Sequence, residues 1–125
     1  MLANWERKYC DLGAIAPLDE VRKSLEVALK VLPENKIMMG IPNFGFDWEL
    51  PFDNGITRTR TFGNMEATEV ATKNRTVIQY SEAAQSPYFT YIKDNVKHEV
   101  WFDDLLSISA KSELAREFGL CGIVY

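Results

Sequence analysis

Two short apolar runs set the strongest limit on the fold, because each has the composition of a strand buried on both faces. They lie at residues 36–42 and 121–125, and each follows a segment with apolar residues at helical spacing. The first helix is predicted from Pro17 to about Leu32, and the second from residues 103–104 to Gly119. A helix followed by a buried strand, found twice, indicates a parallel α/β layer. We therefore expect residues 37–41 and 122–125 to be neighbouring parallel strands.

The segment between these units has the pattern of a small antiparallel α+β unit. Residues 43–60 are rich in Gly, Pro, Asp, Asn and aromatic residues, which predicts a long loop. A short helix is expected to begin with Asn64 as its N-cap. Residues 76–80, 87–93 and 97–102 are rich in β-branched and aromatic residues, as strands are, and Asp94-Asn95 predicts a hairpin turn between the last two.

Composition limits the function more than it defines it. The chain has 125 residues, 46% of them hydrophobic, which suits one ordinary core. Its net charge of -4 and scattered Lys and Arg residues argue against a nucleic-acid partner. No apolar run is long enough to span a membrane. Cys10 and Cys121 are isolated and there is a single histidine, so we expect buried free thiols, no metal and no other cofactor.

The last apolar run ends at the final residue, Tyr125. A terminal core strand without a tail predicts that the chain is a truncated piece of a longer protein. Parallel strands with unpaired edges require a cover. We expect either a further part of the parent protein or a second copy of the chain to supply it.

A family resemblance follows from the order of several motifs. Residues 36–48, K-I-M-M-G-I-P-N-F-G-F-D-W, resemble the seventh barrel strand of family 18 glycoside hydrolases and its following loop, usually G-I-P-x-Y-G-Y-D-W. Residues 99–104, with Ser107 and Lys111, resemble the family's return from the insertion domain into the last barrel helix, and 119–123 resemble the eighth strand. Residues 78–80, 85–89 and Tyr91 are similar to the insertion domain of the subgroup that trims spore-cortex peptidoglycan. Residues 13–18 resemble the segment that leads into the sixth helix of the barrel.

This resemblance implies a fold of class α/β plus α+β. Residues 1–42 and 103–125 would form a partial TIM barrel made of the last two strand-helix units, and 43–102 the chitinase-type insertion domain. It also implies a parent that hydrolyses N-acetylglucosaminyl bonds in cortex peptidoglycan, in the spore envelope or cell wall of a spore-forming bacterium.

The sequence departs from the family in its chemistry. The catalytic run D-x-x-D-x-D-x-E, whose Glu protonates the glycosidic oxygen, is absent. The resemblance therefore implies that this chain holds no catalytic residue and is inactive alone. Phe44 and Phe46 replace tyrosines, and Asn4-Trp5-Glu6 stands where the family has T-Y-E.

The resemblance implies a substrate-binding set with Trp48 as its principal aromatic. Trp48 could stack on a sugar or fill the core, and Asp47 could bind a sugar hydroxyl or hold its own loop. We expect Trp101 to be buried and Asp103 and Asp104 to cap the helix that follows them. His98 is expected to be an exposed strand residue without a catalytic role. The candidate substrate-binding residues are Trp5, Glu6, Asn43, Phe44, Asp47 and Trp48.

Two functional hypotheses follow. The chain contributes part of the groove for an N-acetylglucosamine-containing glycan, through its full-length parent. Alternatively, it is a non-catalytic carbohydrate-binding or self-associating structural domain.

Overall fold

The computed structural model describes residues 2–3, 13–14, 16–50 and 59–125. Its helices are α1 (Leu18–Leu29), α2 (Asn64–Lys73) and α3 (Leu105–Glu117). Its strands are β1 (Leu2–Ala3), β2 (Met38–Gly40), β3 (Phe44–Glu49), β4 (Thr59–Gly63), β5 (Gln79–Ser81), β6 (Ser86–Lys93), β7 (Val96–Trp101) and β8 (Gly122–Val124). They form a three-stranded sheet in the order β1-β2-β8 and a five-stranded sheet in the order β4-β3-β7-β6-β5. Over the described ranges, every helix is too short or too polar to cross a bilayer.

The three-stranded sheet is parallel. Strand β2 pairs with β1 on one side and β8 on the other, with Met38 opposite both Leu2 and Gly122. The prediction that the two apolar runs are neighbouring parallel strands is therefore confirmed. Burial of the first run on both faces is wrong: Met39 is fully buried, whereas Met38 keeps 37% of its surface exposed. The buried face packs with α1 and α3 in one apolar core, which includes Val21, Leu25, Ile37, Met39, Ile41 and Leu114.

The five-stranded sheet is antiparallel throughout. The predicted hairpin between β6 and β7 is confirmed, with Asp94 and Asn95 at φ values of 53° and 63°. The loop predicted over residues 43–60 is wrong for its first part, where β3 lies between β4 and β7. Its β7 partners are about fifty positions away in sequence, as for Asp47 opposite Val100. No local pattern indicates such a pairing.

Gly45 marks a close approach between β3 and β7. A Cβ at this position would lie 2.5 Å from the Trp101 carbonyl oxygen and 2.9 Å from the Phe102 Cβ. Both contacts are too short for any side chain. Glycine at this position therefore allows β3 to enter the centre of the sheet.

Helix α2 packs on one face of this sheet through Ala67 and Ala71, against Phe89, Val100 and Phe102. The expectation that Asn64 is the N-cap is wrong, because Gly63 occupies that position. The Asn64 Oδ1 instead accepts a hydrogen bond from the Asp103 N–H at 3.0 Å. A long-range contact has therefore taken the side chain that a local cap would have used.

Two further expectations need correction. The strand expected at residues 76–80 begins later, at Gln79. Cys121 is exposed rather than buried, since it immediately precedes the edge strand β8. Cys10 lies outside the described residues.

A buried polar joint connects β7 to α3. Asp104 caps the helix in a capping box with Ser107, which confirms the predicted cap. Asp103 is buried instead, and its Oδ1 accepts hydrogen bonds from the Ser107 hydroxyl at 2.8 Å and the Lys111 ammonium at 2.5 Å. The Lys111 side chain is only 1% exposed. A buried charge requires a partner of opposite sign, so each residue depends on the other.

Replacement of Lys111 by Met should leave the buried Asp103 Oδ1 with the hydrogen bond from the Ser107 hydroxyl but without its countercharge. We expect the free energy of unfolding to fall by about 3–5 kcal/mol, measured by urea denaturation. Arg116→Met is the control on the same helix, because its pair with Glu113 is exposed and should contribute about 0.5 kcal/mol or less. Equal losses in the two variants would contradict the assigned role of the buried pair.

Candidate functional site

Asn43 immediately precedes β3, and the candidate residues Phe44, Asp47 and Trp48 lie on this strand. Successive side chains on a strand point to opposite faces. Phe44 and Trp48 therefore lie on one face and Asp47 on the other, where α2 also packs. Trp5 and Glu6 lie outside the described residues and remain predictions.

The first face of β3 is aromatic. The rings of Phe44 and Phe46 have centroids 5.9 Å apart, and those of Phe46 and Trp48 5.3 Å apart, in both cases edge to face. Across the sheet, Trp101 stacks on Tyr88 at 4.5 Å. Trp101 is half-buried rather than buried, and its indole N–H donates to Glu99 at 2.8 Å.

Accessibility differs among the candidates on this side. Asn43 is exposed and Phe44 is half-buried, and they lie three and four residues beyond the end of β2. Trp48 has no exposed surface. Asn43 and Phe44 are therefore placed to meet a ligand as the structure stands, whereas the Trp48 ring faces other protein atoms.

Asp47 is held on the opposite face by side chains from three other strands, β4, β6 and β7. It is 5% exposed. Its Oδ2 accepts a hydrogen bond from the Tyr91 hydroxyl, its Oδ1 lies 2.7 Å from His98 Nδ1, and the Arg60 guanidinium is 3.8 Å from Oδ2. Asp47 thus connects β3 to β4, β6 and β7. The sequence left open whether Asp47 binds a sugar or holds its own loop. In the structure its contacts connect neighbouring strands of the sheet, not the two ends of a loop.

The electrostatics of this group assign its protons. An ionised carboxylate only accepts hydrogen bonds, so His98 carries a proton on Nδ1 and donates it to Asp47. Burial, reinforced by the hydrogen bond to Asp47, raises the pKa of Tyr91 well above the usual value for a tyrosine. The phenol therefore stays protonated as a donor. The imidazole also stacks on the Tyr91 ring at 4.7 Å, which fixes its plane.

These three residues lie at a cleft of about 660 Å³. Its other described lining residues are Glu49, Arg60, Lys93, Asp94 and Val96. We call this cavity the Asp47 cleft. In the described part of the chain, no group of three or more His, Cys, Asp or Glu side chains is arranged to hold a metal ion.

Sequence reasoning missed Tyr91 and His98 as partners of Asp47. The expectation that His98 is an exposed strand residue is wrong, because its side chain is only 12% exposed. The hairpin turn at 94–95 does fix the pairing of Tyr91 with His98. Asp47 comes from a strand that the sequence did not predict, so the three-residue group had no sequence signal.

Comparison with known proteins gives the family. The protein-family model described as glycosyl hydrolases family 18 matches residues 1–125 of the sequence. The chain belongs to this family. Its similarity therefore extends over both sheets and is not limited to one motif.

Among the relatives of this family 18 chain, the cortical fragment-lytic enzyme of Bacillus subtilis (strain 168) is 43% identical over 113 residues. That match covers 90% of this chain and 26% of the relative. The crystal structure of the spore cortex-lytic enzyme SleL from Bacillus megaterium QM B1551 superposes with a TM-score of 0.93 at 35% identity, covering 99% of this chain and 29% of that one. A chitinase from Chromobacterium violaceum ATCC 12472 gives a TM-score of 0.86 at 25% identity, over 99% of this chain and 39% of that one.

The chain thus spans less than a third of the two cortex-lytic proteins. It is a family 18 glycosylase fragment related to spore cortex-lytic enzymes. The mixed α/β architecture with a five-stranded antiparallel sheet agrees with a chitinase-type domain.

Replacement of Tyr91 by Phe removes one of the hydrogen bonds to the buried Asp47 carboxylate. We expect a loss of about 1–3 kcal/mol in the free energy of unfolding at neutral pH, measured by urea denaturation. Tyr125→Phe is the control, because Tyr125 is exposed and its replacement should change stability little.

The same variant tests the raised pKa of Tyr91. A phenol with a raised folded-state pKa contributes full stability below the unfolded value of about 10, and this contribution is lost as pH rises towards the folded value. The stability difference between the parent chain and Tyr91→Phe should therefore be constant from pH 7 to about pH 10 and shrink above it. A difference that grows above that pH would contradict the assignment.

Proposed function

We propose that the chain forms part of the substrate groove of a glycosylase that acts on the N-acetylglucosamine-containing glycan of spore-cortex peptidoglycan. The observation that carries this proposal is the likeness to a spore cortex-lytic enzyme over almost the whole chain. A match over both sheets argues for a shared substrate class more strongly than any single loop does.

The proposed architecture is a partial TIM barrel at residues 1–42 and 103–125, with an insertion domain at 43–102. The parallel order β1-β2-β8 supports it, as does the position of a helix before β2 and another before β8. In such barrels the active face lies at the carboxyl ends of the strands. Asn43 and Phe44 lie three and four residues beyond the carboxyl end of β2, on this side.

The proposed sugar-binding residues are Trp5, Glu6, Asn43, Phe44, Asp47 and Trp48. Exposure favours Asn43 and Phe44 as direct contacts, while Asp47 and Trp48 would support them from within the sheet. The proton donor is proposed to lie in a part of the parent protein that this chain lacks, so the chain alone should bind glycan without cleaving it.

Phe44→Ala tests the groove. Loss of an aromatic contact should weaken the affinity for N-acetylglucosamine oligomers or cortex glycan roughly 2- to 10-fold, measured by titration with NMR detection. Val77→Ala, an exposed apolar position on the segment before β5, is the control and should bind as the parent chain does.

The same samples should release no reducing ends from cortex glycan. Turnover by this chain would contradict the proposed location of the acid. Unchanged affinity in Phe44→Ala would remove Phe44 from the groove.

A second candidate function, self-association, is favoured by strand β8. It lies at an edge of its sheet, and Ile123 and Val124 are each about two-fifths exposed. Unpaired edges with apolar side chains pair readily with another copy. Sedimentation should therefore show concentration-dependent dimers, reduced by Val124→Lys. A clean monomer at high concentration would contradict this alternative.

A further inference from the structure

The Asp47 cleft lies on the opposite face of the five-stranded sheet from Phe44 and Trp48. Register establishes this: Asp47 is opposite Val100 and Arg60, whereas Phe46 is opposite Trp101 and Trp48 is opposite Glu99. The cleft is therefore separate from the proposed sugar groove. Its floor is the group Asp47, Tyr91 and His98 described above.

Several of the polar groups in the cleft already form hydrogen bonds or ion pairs within the protein. Both Asp47 oxygens have partners, and Arg60 is shared between Asp47 and Glu66, which it meets at 3.1 Å. His98 uses Nδ1 for Asp47, so its second nitrogen, Nε2, is the ring nitrogen left to meet a ligand. The stacking on Tyr91 and the bond to Asp47 hold that nitrogen in place.

The rim carries charges of both signs that the floor does not use. Among the described residues, the ion pairs of the structure do not include Glu49, Lys93 or Asp94. The carboxylates of Glu49 and Asp94 suit an ammonium group, and Lys93 suits a carboxylate. A ligand with both charges on neighbouring atoms would satisfy them together.

A sugar ring fits this cleft poorly. Sugar rings bind well on exposed aromatic faces. The Tyr91 ring is buried and already stacked on His98, and Val96 is the single aliphatic side chain among the described lining residues. The lining therefore favours a compact charged group over a neutral ring.

We propose that the Asp47 cleft binds an amino-acid zwitterion, namely the ammonium and carboxylate that a diaminopimelate side chain carries on one carbon in a peptide stem attached to the glycan. The ammonium is received by Glu49 and Asp94, and the carboxylate by Lys93, with His98 beside them in the lining of the cleft. This assignment rests on the proposed function, since peptidoglycan presents such stems beside its sugars. The cleft would add recognition of the peptide to recognition of the glycan on the other face.

The test uses the 125-residue chain and an N-acetylated stem tripeptide that ends in diaminopimelate, which carries an ammonium and a carboxylate on one carbon. Titration to about 10 mM, followed by NMR of the His98 imidazole and the backbone amides of β3 and β6, should give saturable shifts. Two matched peptides separate the charges: one with lysine in place of diaminopimelate lacks the side-chain carboxylate, and one with an acetylated side-chain amine lacks the ammonium. Each should bind about three- to tenfold more weakly.

Protein variants test the assigned residues. Glu49→Gln and Lys93→Gln should each weaken tripeptide binding about three- to tenfold, and each should lose its preference over the matched peptide that lacks its partner charge. Glu113→Gln and Lys23→Gln, at exposed pairs elsewhere, are the controls and should bind normally. These substitutions lie at the surface, so thermal unfolding should confirm that all variants fold.

Absence of shifts at His98, or equal binding of all three peptides, would overturn the proposal. The tripeptide contains no sugar, so this outcome would leave glycan binding through Phe44 unaffected. Conversely, tripeptide binding without any glycan binding would count against the proposed function while the cleft assignment stands.

Discussion

The buried joint at Asp103 is the interaction on which the arrangement of the two sheets depends. Its backbone N–H is bound by Asn64 at the start of α2, and its carboxylate is bound by Ser107 and Lys111 of α3. One residue thus connects the helix on the antiparallel sheet with the helix that leads back to the parallel sheet. Because a buried charge without its partner costs several kcal/mol, this contact specifies one orientation for the chain as it leaves β7.

Asp47 repeats the same principle inside the five-stranded sheet. Tyr91, His98 and Arg60 compensate a carboxylate that would otherwise be buried alone. The consequence is functional as well as structural, because the imidazole that serves Asp47 also presents its second nitrogen to a cleft. Strand β3 therefore presents aromatic side chains on one face of the sheet and the Asp47 carboxylate on the other.

The sequence predicted most of the parts that depend on local pattern or on a buried core. The helix at α1, the cap at Asp104, the hairpin at 94–95 and the parallel pairing of β2 with β8 all agree with it. Strand β3 and the partner of Asn64 do not, because each is decided by residues about forty to fifty positions away. Of the candidate residues, the sequence named Phe44, Asp47 and Trp48 without the strand that carries them, and it had no signal for Tyr91 and His98 beside Asp47.

The amino-acid sequence by itself determined the family and the parallel pairing of the two short apolar runs. These follow from the order of motifs and from apolar spacing, which are properties of neighbouring residues. Only the tertiary structure decided that Asp47 and Trp48 are buried and that Tyr91 and His98 lie beside Asp47. Burial and charge compensation depend on which strands meet, and in this chain that meeting requires a glycine at position 45, where the backbones of β3 and β7 approach too closely for any side chain.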